Sequence, residues 1–309
     1  MSIYNKNIID NEFKPDFLIL IQEFPELKKY IIKEGNKNKD QFNFDWSNNE
    51  LSLLMTKSIL NYYFNIKYYD IPKGYLIPPV PSRLNYINFI NILLNKFNIP
   101  KNEDILGIDI GTGANIIYPL IGNSLYNWKF ICSEINLGAY ENADNILSKN
   151  NLKEKILLLK QNNKNNIFIG ILNQEKKYIF SMCNPPYYDY ENEIKIEDKK
   201  RDSEYNFDEV YYKQGEYGFF LRYFEESICY KKNIFINTIL IGKKINAEKI
   251  YDIISENKEI KNKDIKKIKT GSNVRYILYW SFYNNYSEFK SKKLYSKYYN
   301  NFKPIVDYN

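Results

Sequence analysis

Three short stretches carry residue types that could do chemistry together. Asn184–Pro185–Pro186–Tyr187 follows directly on the apolar run Tyr178–Cys183. Consecutive prolines hold an extended backbone and belong neither in a helix interior nor in a central strand, so they make a rigid corner. The Asn184 amide oxygen and the Pro185 carbonyl are then two adjacent acceptors, matched to an exocyclic –NH2 group. Tyr187, with Tyr188 beside it, offers a flat surface on which a purine can stack. The second stretch, Asp109–Ile110–Gly111–Thr112–Gly113–Ala114, also ends an apolar run. Its glycines permit a sharp turn and close approach of a ligand to the backbone, and a helix N-terminus after it offers free amides. A plain strand-to-helix turn would use the same residues. A dinucleotide fingerprint would want glycine at position 116, where the chain has Ile116. The third feature is Glu134, at the end of the next apolar run and roughly 20 residues beyond the glycine turn. A carboxylate there can accept from both hydroxyls of a ribose, or stabilise a helix N-terminus.

Composition narrows the chemistry. None of the 309 residues is histidine, which removes Ser-His-Asp triads, Cys-His dyads, His-ligated zinc and imidazole bases. Cys132, Cys183 and Cys229 lie far apart with no Cys-x-x-Cys, so neither a disulfide framework nor a metal site is expected, and a reducing compartment fits. No apolar stretch approaches the ~18 residues of a bilayer span, and no cationic-then-apolar leader opens the chain. Hydrophobic residues at 44% and charged residues at 26% describe a globular chain. At roughly 150 residues per domain, its length allows one large domain or two small ones. The 44 Lys+Arg against 37 Asp+Glu give +7, which permits a polyanionic partner without demanding one. Asn, Lys, Ile and Tyr, the residues of A/T-rich codons, are all over-used, so runs of Asn and Lys read mainly as compositional drift.

The elements that must position these residues are legible as patterns. Residues 15–31 hold two short apolar-periodic segments broken at Pro25. Ser47 with Glu50 reads as a capping box ahead of the helical spacing Leu51, Leu54, Met55, Ile59, Tyr62 and Tyr63. Past Pro72, Pro78, Pro79 and Pro81, Ser82 reads as the cap of a helix carrying Leu84, Ile87, Ile90, Leu94 and Phe97. From there the pattern changes. Ile105–Ile110, Lys129–Ser133, Ile156–Leu159, Tyr178–Cys183 and Ile234–Ile241 read as strands, with helical patterns at Leu137–Ser148 and Gly218–Lys231. Alternation of this kind implies βαβ units and a parallel sheet. Arg275–Phe282, after the Lys-rich run Lys261–Lys269 and the turn Thr270–Asn273, is expected to close one sheet edge as an antiparallel hairpin. Asp189–Gln214, charged and aperiodic, is expected to be a long surface loop.

Asn-Pro-Pro-aromatic after the fourth strand, with an acidic-x-Gly-x-Gly turn after the first, resembles the amino-group methyltransferases that use S-adenosylmethionine. More closely, the chain resembles the RNA adenine-N6 methyltransferases that modify 23S ribosomal RNA in bacteria and U6 small nuclear RNA in eukaryotes. The matching stretches run in order from Lys14–Pro15–Asp16–Phe17 and Asp70–Ile71–Pro72 through Pro81–Ile87 and Gly107–Gly122. They continue through Met182–Tyr188 and Gly242–Lys243–Lys244 to Arg275–Tyr276 and Trp280–Ser281–Phe282. The resemblance implies a Rossmann-like class I methyltransferase fold: an α/β architecture with a seven-stranded, mostly parallel sheet, one strand antiparallel. A helical, RNA-binding region (residues 1–100) would precede the methyltransferase domain (residues 101–309). S-adenosylmethionine would be the cofactor, contacted by Arg83 at the methionine carboxylate, by Asp109, Gly111 and Gly113 at the turn, by Glu134 at the ribose and by Asn184. Asn184 and the Pro185 carbonyl, with Pro186 and Tyr187, would hold the target amino group. Tyr187, Tyr188 and Arg275 would contact a structured RNA, ribosomal or small nuclear. No metal and no membrane partner are implied, and the expected state is a monomer, cytoplasmic in a bacterium or nuclear in a eukaryote. The rival readings are an RNA-binding protein that kept the fold without catalysis, and a protein or small-molecule N-methyltransferase. Lys213–Gln214–Gly215–Glu216 departs from the family's richer Gly and Glu pattern.

Overall fold

A computed structural model describes residues 13–33, 42–189, 211–270 and 273–294. The described residues of the N-terminal third are mostly helical. Helix α1 (Phe17–Glu23) and a 3-10 turn (Pro25–Tyr30) meet at Pro25, and a two-stranded ribbon, β1 (Ile31–Lys33) with β2 (Asn43–Phe44), follows. Helix α2 (Asn49–Phe64) buries Leu51, Met55 and Ile59, as the spacing predicts. Its cap is Asn48, whose side chain accepts from the Leu51 amide, and not Ser47. The Ser47 hydroxyl and amide donate instead to the Asp45 carboxylate, a stronger local acceptor, while Glu50 accepts from the Tyr30 hydroxyl. Helix α3 (Val80–Lys96), by contrast, begins earlier than expected. Pro79 is its cap, Pro81 sits in the first turn where a missing N–H costs nothing, and the Ser82 hydroxyl donates to the Pro79 carbonyl.

Next come β3 (Leu106–Ile110), α4 (Ile117–Tyr126), β4 (Lys129–Glu134), α5 (Leu137–Lys149), β5 (Ile156–Lys160) and β6 (Tyr178–Cys183). Two short strands, β7 (Tyr188–Asp189) and β8 (Tyr211–Tyr212), pair in parallel. They frame the expected long loop, whose residues 190–210 lie outside the described residues. The chain continues through α6 (Gly215–Cys229), β9 (Ile234–Ile241), α7 (Lys244–Glu256), β10 (Asn262–Thr270), β11 (Asn273–Ser281) and α8 (Tyr286–Ser291).

Seven strands form one sheet in the order β10-β11-β9-β6-β3-β4-β5. β11 alone runs against the rest, pairing antiparallel with both β9 and β10. Every residue of β6 and β9 is buried, which is why both read as near-continuous apolar runs. The Lys-rich run is itself the edge strand β10. Ile265 and Ile268 pack against the core, while exposed Lys266, Lys267 and Lys269 keep the open edge from pairing with another chain. Helix α3 packs directly on the sheet: Phe97 meets Phe235 of β9 at 5.1 Å between ring centroids, and the Tyr86 and Thr238 hydroxyls are hydrogen-bonded at 2.8 Å.

The crossover from β5 back to β6 reverses the direction in which strands are added, so a topological switch point lies between β3 and β6. Ligands of open α/β sheets bind in the crevice at the carboxyl ends of strands at such a point. Among the described residues no helix is long and apolar enough to cross a membrane. No group of His, Cys, Asp or Glu among them could hold a metal ion.

Candidate active site

The register of three adjacent strands brings the three sequence stretches together. Ile110 of β3 pairs with Cys183 of β6 on one side and with Ser133 of β4 on the other. Gly111, Asn184 and Glu134 are therefore the next residues on neighbouring strands about 5 Å apart. They line one cleft of about 430 Å³, shared with Arg83, Gly113 and Pro186.

The turn after β3 needs its glycines. Gly111 and Gly113 have φ of +63° and +69°, a region costly for residues with a Cβ. A Cβ on Gly111 would meet no atom within 4 Å, so that side of the turn is open space. The Gly113 amide donates to Glu134 Oε2 and the Asn136 amide to Glu134 Oε1, both at 2.8 Å. Burial lifts the Glu134 carboxyl above its ordinary range, and these amides oppose the rise. Asp109 lies beneath the turn instead of on the cleft wall. The Thr112 hydroxyl donates to its Oδ2 at 2.6 Å, and burial raises its carboxyl to about 7 against that hydrogen bond, with the charge of Glu134 adding to the rise. Arg83, on the first turns of α3, has its guanidinium 5.9 Å from the centre of the Tyr118 ring. The buried Tyr118 Oη has no hydrogen-bond partner among the described residues, and burial holds its pKa up at about 12 even though Arg83 is near enough for its charge to oppose the rise.

The Asn-Pro-Pro corner is split by exposure. Asn184 is exposed and Pro186 lines the cleft, whereas Pro185 is buried. Tyr187, Tyr188 and Arg275 are off the cleft wall, in a neighbouring cluster. The Tyr187 ring lies against Gly242, where a Cβ would come within 1.9 Å of its Cε2. Lys243 Nζ is 5.2 Å and Arg275 Cζ 5.4 Å from the ring centre, and Tyr188 packs edge-on at 4.9 Å.

A family model described as RNA methyltransferase matches residues 2–284. The chain belongs to that family. Ribosomal RNA large subunit methyltransferase F of Flavobacterium johnsoniae is 36% identical over 300 residues, covering 90% of this chain and 93% of that protein. Its namesake from Christiangramia forsetii is 32% identical over 282 residues, covering 86% and 96%. Among solved structures, the hMettl16 catalytic domain in complex with MAT2A 3′UTR hairpin 1 matches with a TM-score of 0.75 at 28% identity, over 87% of this chain and 92% of that one. The N-terminal domain of human METTL16 in complex with SAH matches with a TM-score of 0.71 at 29% identity, over 87% and 95%. The expected fold and family resemblance are thus both borne out.

Two buried carboxylates fix the surroundings of this methyltransferase's cleft; Glu226 escaped sequence reasoning, and Glu216 was noted only as part of a departure from the family pattern. Glu226 of α6 accepts from three successive amides, Ile167, Phe168 and Ile169, at 3.0, 2.7 and 3.1 Å, and so pins the loop after β5 that carries Asn165 and Ile167 to the cleft. Arg222, one turn earlier, lies 3.3 Å from the same carboxylate and donates to the Asn165 carbonyl. Glu216 accepts from the Gly242 and Lys243 amides at 2.7 and 2.9 Å, fixing the shelf under Tyr187. The signal was present: Glu216 falls in phase with Phe220 and Tyr223 on the apolar face of α6, and a carboxylate on that face must find buried donors.

Proposed function

We propose that the protein transfers a methyl group from S-adenosylmethionine to the N6 amino group of one adenine in a structured RNA. The observation that carries this reading is the strand register that groups Gly111, Glu134 and Asn184 around a single cleft. The residues present fit the cofactor. Gly111 leaves open space where a side chain would block a nucleoside, and Arg83 with the buried Tyr118 hydroxyl beside it brings polar groups to the same cleft. When bound, S-adenosylmethionine supplies a methyl group on a positively charged sulfur, open to in-line attack by an amine.

Glu134, already oriented by two amides, has lone pairs left for the ribose hydroxyls. Arg83 provides the positive charge that suits the methionine carboxylate. The Asn184 amide oxygen and the Pro185 carbonyl accept the two N–H groups of the adenine amine. The amine's lone pair, otherwise delocalised into the ring, is thereby turned toward the methyl group. The proton leaves after transfer from a cationic product, so no histidine base is needed. Positioning and fixed dipoles supply most of the acceleration. The adenine must leave its stack to reach the corner, which favours an unpaired or bulged base. The cationic cluster of Lys243 and Arg275 beside Tyr187 suits the phosphates flanking that base, and the region 1–100 with the lysines of β10 adds backbone contacts. The curated relatives' names favour a large-subunit ribosomal RNA as substrate.

The test is transfer of tritiated methyl to a large-subunit ribosomal RNA transcript, with the modified base mapped. Asn184→Ala is expected to lower turnover by about 10²-fold or more at saturating RNA and cofactor, the usual scale for losing a transition-state acceptor or donor. Near-normal turnover of that variant would overturn the assignment.

A further inference from the structure

The segment Pro72–Pro79 leads from α2 into α3 and contributes Leu76 to the cleft wall, a few residues before Arg83. A long-range hydrogen bond joins it to the opposite wall: Tyr75 Oη donates to Asn136 Oδ1 at 3.0 Å. Asn136 is also tied to Glu134, because its amide donates to Glu134 Oε1 while its side chain caps α5 at Ala139. The tyrosine hydroxyl lies directly over Gly138. A Cβ at 138 would come within 2.4 Å of Tyr75 Oη, whereas the next nearest atoms are 3.6 Å away. Gly138 is not among the positive-φ glycines, so its backbone asks for no glycine. Glycine is a poor helix former there, and the space it leaves is filled by one hydroxyl.

We infer that Tyr75 is a positioning residue that sets the spacing between the wall carrying Leu76 and Arg83 and the wall carrying Glu134. Through Asn136 it governs how tightly the adenosyl moiety of the cofactor is held. This inference rests on the cofactor reading above. It makes Tyr75 and Gly138 a matched pair whose perturbations are coupled.

The test is calorimetric binding of S-adenosylhomocysteine to the full chain, with thermal unfolding in parallel, for wild type, Tyr75→Phe, Gly138→Ala and the double variant. Each single variant is expected to bind roughly fivefold more weakly, the scale of one lost hydrogen bond. Gly138→Ala should nevertheless melt no lower than wild type, since alanine favours the helix. The double variant should bind no more weakly than Tyr75→Phe alone, because without the hydroxyl the new Cβ meets nothing closer than 3.6 Å. Cofactor KM should rise in each single variant with kcat held within about twofold, a split that general loosening of the fold would not give. Wild-type binding with unaltered single variants, or fully additive losses in the double variant, overturns this inference alone. Failure of the wild type to bind overturns the functional reading and this inference with it.

Discussion

Glu134→Gln is the sharpest single perturbation of the cofactor cleft. The carboxylate is 5% exposed and accepts two backbone amides at 2.8 Å, one on each oxygen. Glutamine matches it in size but brings only one acceptor oxygen. Whichever way the amide is turned, its NH2 faces either the Gly113 or the Asn136 N–H, two donors with nothing between them. An orphaned buried N–H costs about 1–3 kcal/mol. Part of that is returned in the free protein, because burial disfavours the charge, as the raised Glu134 pKa records, and a neutral amide escapes the penalty. The bound state has no such offset. Ribose hydroxyls lose a charged acceptor, and hydrogen bonds to charged groups contribute ~1.5–3 kcal/mol. Affinity for S-adenosylhomocysteine is therefore expected to fall by about 10- to 150-fold, while stability to denaturant falls by no more than ~3 kcal/mol. Calorimetry with a parallel urea titration reads both. Binding within twofold of wild type would show that this carboxylate does not carry the ribose, and the reasoning from its amide pair would fail.

Other consequences concern the ground beneath the turn. Burial raises the Asp109 carboxyl from the ordinary 3.8 to about 7, so the folded chain keeps a proton that the unfolded chain releases. That contribution to stability is complete below the unfolded value and is lost as pH rises through about 7, at up to ~1.4 kcal/mol per pH unit between the two. Asp109→Asn has no such proton, so its stability relative to wild type should improve between about pH 5 and pH 7.5 in denaturant titrations; a gap constant with pH refutes the raised value. Gly107, at mid-strand in β3, faces Phe180, and a Cβ there would lie 2.3 Å from the ring Cζ. Gly107→Ala should cost about 1–3 kcal/mol of stability by overpacking, and a loss under ~0.5 kcal/mol would mean that the ring swings clear.

Sequence reasoning succeeded where a residue type has few physical uses. Tandem prolines after an apolar run, and glycines whose φ proved to be +63° and +69°, have little else to be. It erred by one residue at the start of α2, because Asp45, Ser47 and Asn48 compete for the same polar groups and local spacing does not rank them, and by three at α3, where Pro79 and not Ser82 is the cap. It treated the Lys261–Lys269 run as a preface to a strand, since its two apolar residues, Ile265 and Ile268, are three apart, fall on opposite faces and leave no period-two alternation to read. For Tyr187, the aromatic type was informative but its neighbours were not legible. The ring rests on Gly242, itself held by Glu216, and both are remote along the chain.

The linear order of residues determined that this protein possesses a glycine bend, an acidic strand end and a prolyl corner, each built by local backbone restrictions. Only the tertiary structure decided that the three meet. The pairing of β6 with β3, and not with its predecessor β5, is a long-range choice driven by burying both faces of a central strand, and no local spacing encodes it.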